Sequence, residues 1–139
     1  MNHPKTVGVA AVVGMMEIFK INNMTGIELI EAERKRQIEK EGFDKKHDMN
    51  MHMSDDLAIA GAIYALPTNI RLYYYNSRPD GETELRPMLW PFDMQWYKPC
   101  PNDRKRELIK AGALIAAEID RIIDRENFEQ WVKENEKDS

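Results

Sequence analysis

The chain has little of what most recognisable sites are built from. Its single cysteine, Cys100, excludes an internal disulfide and a cysteine-pair zinc site, and suits a reducing compartment. Cys100 stands between Pro99 and Pro101, with no helix start to lower its pKa, and reads as a structural thiol. There are three histidines, none spaced as a His-x-x-x-His pair on a helix, and no glycine-rich phosphate loop or catalytic triad stands out. No apolar run approaches the ~20 residues a membrane-spanning helix needs. The run from Val7 to Met16, with Lys5 before it, faintly resembles a signal peptide but has no small-x-small cleavage site; it reads as a buried strand or a short helix. A net charge of -4 gives no support for nucleic-acid binding or for an anionic membrane surface as partner.

What is present suits one helical domain. The 139 residues can bury a single core without staples, and 42% apolar with 32% charged residues is ordinary globular usage. The patterning predicts an all-α fold: an N-terminal extension over 1–24, one helical domain over 25–128 and a polar tail over 129–139. Three principal helices are expected, over 25–42, 55–66 and 104–127. Thr25 and Glu28 form a capping box for the first, and Gly42 can end it. Ile27, Ile30, Arg34, Ile38 and Glu41 share one stripe of that helix. The second, capped by Ser54 or Asp55 and stopped by Pro67, is apolar nearly all round and therefore central. The third, capped by Asn102 or Asp103, carries a long apolar face that Phe128 and Trp131 extend, with a frayed end from Lys133.

Between the last two helices, residues 67–103 hold six of the seven prolines and seven of the twelve aromatics. A connection this long is usually functional or disordered. Leaving Trp90, Phe92, Trp96 and Tyr97 in water is costly, so an ordered connection folded onto the helices is expected. Within it, Ile70 to Tyr75 reads as a strand or a helix extension, and Asp80-Gly81 signals a turn. Tyr73, Tyr74 and Tyr75 cannot all face one side, which leaves at least one for an oligomer, ligand or host-protein contact.

The run from Glu33 through Arg34, Arg36, Gln37 and Glu41 to Gly42-Phe43, then His47-Asp48, resembles the first half of a family of small phage and prophage proteins. Trp90-Pro91-Phe92, Trp96-Tyr97-Lys98-Pro99 and the stretch from Leu108 to Arg121 resemble its second half. The resemblance covers about residues 25–125. Phe43, Phe92 and Tyr97 stand where tryptophan is common in that family. It implies a helical architecture, phage origin and a place in the host cytoplasm, but no defined activity. The stretch from Arg34 to Asp48 is also similar in type to ryanodine-receptor-type repeat domains.

Aromatic faces beside arginine and lysine are what a nucleotide-like ligand requires: stacking for the base and charge for phosphate. The candidate ligand-binding set is Arg34, Arg36, Gln37, His47, Asp48, Trp90, Trp96, Lys98 and Arg104. The expected function is capture of a small nucleotide-derived molecule, such as a host immune signal, without chemistry. No catalytic residue, metal or cofactor is assigned, and a homo-oligomer is one expected assembly. The alternative is a magnesium-dependent nucleotide pyrophosphohydrolase of the MazG type using Glu28, Glu31, Asp55, Asp56 and Glu118, since hard cations need several converging oxygens. Its expected second motif is missing, because Glu118-x-Asp120 does not share a helical face.

Overall fold

The computed structural model describes residues 8–41 and 55–136, apart from the side chains of 19–22 and 41. These residues form α1 (Val9–Asn22), α2 (Gly26–Glu41), α3 (Asp56–Ala65), strands β1 (Tyr73–Ser77) and β2 (Thr83–Pro87), and α4 (Arg104–Glu136). Single turns of 3-10 helix lie at Thr68–Ile70 and Met94–Trp96. The fold is α-rich but not all-α, because part of the connection pairs as an antiparallel hairpin. The hairpin has a local cause. Three tyrosines favour a pleated strand, and β2 alternates Thr-Glu-Leu-Arg. Gly81, at φ 87, supplies the left-handed residue of the turn between them. Tyr75 faces Leu85, and Tyr73 faces Pro87.

The α2 capping box forms as the sequence predicts. Glu28 N–H donates to Thr25 Oγ1 (3.3 Å), and Thr25 N–H donates to Glu28 Oε1 (3.2 Å). Only the middle of the predicted stripe of α2 goes inward. Arg34 is buried and Ile30 half-buried, with Glu33 and Gln37 buried beside them, while Ile27 is 81% exposed and Ile38 also faces solvent. The buried face is polar because α4 answers it with charge: Arg106 pairs with Glu33 (2.7 Å) and Asp120 with Arg34 (3.4 Å).

α4 packs on both α2 and α3 and so takes the central place expected of α3. Asp103 caps it, accepting from Arg106 N–H at 3.0 Å. Asp55 occupies the N-cap position of α3 without a capping bond from its side chain. Gly42, Phe43 and Ser54 lie outside the described residues. The core joins Leu57, Ala60, Ile63 and Tyr64 of α3 to Ala111, Leu114 and Ala117 of α4, closed by Trp90. Gly61 permits the close approach of the two helices: a Cβ there would lie 3.1 Å from the Ala111 carbonyl oxygen.

α4 runs to Glu136, past the predicted end at 127 and into the tail expected to fray from Lys133. At roughly 1.5 Å per residue it is far longer than the elements beside it. Ile119, Ile123, Phe128 and Trp131 are all about half exposed along its far half, and the last two rings stack at 6.2 Å. α1 is a helix, but an exposed one rather than a buried element: Val9, Val13, Met15, Met16 and Ile18 all face solvent. No described helix is long and apolar enough to cross a membrane.

Two arginines converge on the end of α3, one from the 67–103 segment and one from the start of α4. Arg71, buried, donates to the carbonyls of Tyr64 (3.1 Å) and Leu66 (2.9 Å) at the end of α3 and to both oxygens of Glu107. Arg104 donates to the carbonyls of Tyr64, Ala65 and Leu66. Together they satisfy carbonyls that a helix end leaves without intrahelical partners.

Candidate functional site

A hollow opens where α2, α3, α4 and residues 90–98 meet. Its inner wall is Glu33, Gln37, Ala60, Tyr64, Trp90 and Leu114, all buried. Arg36, Trp96 and Lys98 stand at the rim, with Phe92 and Lys110 half-buried beside them. Its cavity volume is about 50 Å³, within a depression that measures about 470 Å³ with its open mouth. On the former measure a water needs ~10–15 Å³, so the hollow has room for more than one water, and a larger ligand extends into the mouth.

α2 supplies three lining residues because Glu33, Arg36 and Gln37 are three and four apart and share a face. The 90–98 segment supplies Trp90, Phe92, Trp96 and Lys98 through its turns, and α3 and α4 supply the remaining four. Pro87, Met88, Leu89 and Trp90 make a turn closed by Trp90 N–H on the Pro87 carbonyl (3.1 Å), with Leu89 at φ 72. That turn drives the Trp90 ring inward against Tyr64 (5.7 Å between centroids), Phe92 (5.8 Å) and Tyr97 (5.0 Å). Trp90 Nε1 donates to the Asp93 carbonyl at 3.3 Å. Trp90 is thus a core residue that forms part of the wall. Trp96 is 40% exposed and offers the accessible indole at the rim.

Three cations and one carboxylate line the hollow, a local charge of +2 in a chain whose net charge is -4. Burial opposes ionisation of Glu33, but hydrogen bonds from Arg36 (2.8 and 2.9 Å) and Arg106 outweigh it and hold the carboxyl below its ordinary range. Lys110 Nζ donates to the Lys98 carbonyl at 2.6 Å and lies 5.5 Å from the centre of the Tyr64 ring. Lys98 Nζ lies 5.9 Å from the centre of the Trp96 ring. Burial pushes the Tyr64 hydroxyl well above its ordinary pKa, and that oxygen accepts from Lys98 N–H at 2.8 Å.

Of the predicted set, Arg36, Gln37, Trp90, Trp96 and Lys98 line this hollow. Arg34 does not: it pairs with Asp120 of α4. Arg104 does not either, being committed to the end of α3. His47 and Asp48 lie outside the described residues. Sequence reading missed Glu33, Tyr64 and Lys110. Lys110 had a signal, a lone cation three and four positions before Ala113 and Leu114 on the buried face of α4. Of the carboxylates of the magnesium alternative, Glu28 is held in the α2 cap, and Glu118 pairs with Arg121 at 2.6 Å, a guanidinium whose charge Asp55 and Asp56 also feel. Among the described residues no group of three or more His, Cys, Asp or Glu could hold a metal ion. Compared with protein-family profiles, curated proteins and solved structures, the chain matches none of them.

Proposed function

We propose that this protein binds a small nucleotide-derived anion at the hollow between α2, α3 and α4 and holds it without transforming it. The observation that carries this reading is the convergence of Arg36, Lys98 and Lys110 with the exposed Trp96 indole on one depression. The cations complement phosphate, and the indole face stacks a base. Capture rather than turnover is supported by the titrating groups of the wall. Glu33 is held ionised and Tyr64 is held neutral, so neither is poised near pH 7 as a general acid or base. With the resemblance to small phage proteins, the role that suits capture is sequestration of a host signalling nucleotide.

Calorimetry against mono-, di- and cyclic nucleotides tests this. At least one member is expected to bind, and affinity is expected to fall as salt rises, because exposed charges are screened. Trp96→Leu should weaken binding by ~1–3 kcal/mol, the range for stacking on one aromatic. Flat titrations across the panel would overturn the reading.

A second reading, a surface for another protein chain, rests on the hairpin. Tyr75 is 78% exposed and its cross-strand partner Leu85 is 49% exposed. Light scattering of the wild type and Tyr75→Ser would separate self-association from a monomer, and a monomer at working concentration would leave only a foreign partner for that face.

A further inference from the structure

The charge at the rim speaks for an anion, but the floor of the hollow has the opposite demand. Gln37 is 4% exposed, lines the hollow, and its Oε1 is buried with no hydrogen-bond partner among the described residues. A buried acceptor left unpaired is costly, and most are paired. The neighbouring polar groups do not answer it. Glu33 is an acceptor engaged by Arg36 and Arg106. Trp90 Nε1–H is taken by the Asp93 carbonyl. What Gln37 Oε1 lacks is a donor.

We infer that the ligand is a nucleotide with an amino-bearing base, whose exocyclic amino group enters the hollow and donates to Gln37 Oε1. This rests on the capture reading above and names its ligand class. Polarity leads there: the exocyclic amino group is a donor that projects from a base edge, and the unpaired acceptor lies on the wall of the hollow. The ring then lies in the mouth beside Trp96, and the phosphate stays outside near Arg36 and Lys98, both at the solvent edge. The reverse pose would put phosphate oxygens, all acceptors, against the Glu33 carboxylate and the Gln37 carbonyl. Like meets like there, which disfavours it.

The test uses the full-length protein and three ligand pairs that differ only in the amino group. These are AMP against purine riboside monophosphate, GMP against IMP, and CMP against zebularine monophosphate. At least one amino-bearing member is expected to bind tenfold or more tighter than its partner, because a site built for a donor rejects the analogue lacking it. In Gln37→Leu the preferred nucleotide should fall to the affinity of its analogue, and the analogue should be unchanged. Equal binding within all three pairs overturns this inference and leaves nucleotide capture standing. A preference that survives in Gln37→Leu also overturns it. If no nucleotide binds, the capture reading fails and takes this inference with it. The ligand pairs are measured on the wild type, so the result does not depend on the variant folding.

Discussion

Arg71 and Glu107 form a two-pronged ion pair, Nη1 to Oε2 at 2.9 Å and Nη2 to Oε1 at 2.8 Å, with each side chain 1% exposed. Neither group is isolated. Arg71 also reaches the Tyr97 hydroxyl at 3.3 Å, and Glu107 accepts from Cys100 N–H at 3.1 Å. The pair therefore joins the end of α3, the start of α4 and both ends of the segment between them. Arg71→Met leaves the Glu107 carboxylate buried without its two-pronged partner, and leaves the Tyr64 and Leu66 carbonyls with Arg104 as their donor. Urea denaturation should show a loss of ~3–5 kcal/mol, the range for breaking one side of a buried pair. Replacing both, as Arg71→Met with Glu107→Leu, should recover part of that loss, since no lone charge remains. A single variant as stable as the wild type would refute the role.

Acid should find the same pair. Burial opposes ionisation of Glu107, but hydrogen bonds from Arg71 and from Cys100 N–H outweigh it and keep the carboxyl below its ordinary value; Glu33 is held low by Arg36 and Arg106 in the same way. A carboxyl with a depressed folded pKa contributes stability above its unfolded pKa, about 4.3. That contribution is lost as pH falls through the folded value. Urea midpoints should therefore drop steeply below about pH 4.3 in the wild type and less steeply in Glu107→Gln.

Base acts on two tyrosines. Burial, with the hydrogen bond that the Tyr97 hydroxyl donates to Tyr73 (2.7 Å between oxygens), pushes the Tyr97 hydroxyl up to about 12. Burial pushes Tyr64 higher still. Their raised values mean that the fold disfavours the phenolates, so stability present below the unfolded pKa of about 10 is lost as pH rises through the folded values. Absorbance titration of phenolate should show a late phase coincident with unfolding. Tyr97→Phe should reduce that phase by one tyrosine.

Leu89 carries the one strained conformation found at a non-glycine residue among the described positions, φ 72. It is 76% exposed, so nothing in its packing compensates. A left-handed conformation costs an L-residue ~1–2 kcal/mol, and glycine gives back about half of that gain through unfolded-chain entropy. Leu89→Gly should raise the urea midpoint by the equivalent of ~0.5–1 kcal/mol, and Leu89→Val, β-branched, should lower it. If both move the same way, strain is not what the turn imposes.

Much of the helical architecture could be read directly because its determinants are local. Thr25 and Glu28, Asp103 and Pro67 act within one turn of themselves, and all four do what the sequence predicts. The hairpin had signals too, the tyrosine run and Asp80-Gly81, but they stood in a stretch without period and did not announce that two strands would pair. α2 was legible only in part. Its stripe is buried at Arg34 and open at Ile27 and Ile38, and Glu33 and Arg34 go inward because partners 73 or more positions away meet them.

The candidate site divides along the same line. Composition and residue type singled out Trp96, Lys98, Arg36 and Gln37, since flat rings and fixed cations declare their chemistry without a fold. Which of two indoles stays accessible, which arginines are consumed by helix ends and ion pairs, and that Lys110 and Glu33 belong to the same hollow were matters for the packing of α4 against α2 and α3 alone. Chain-local forces specify helices and caps residue by residue. Exposure and convergence are properties of surfaces from distant segments brought together, and these exist only once the tertiary contacts form.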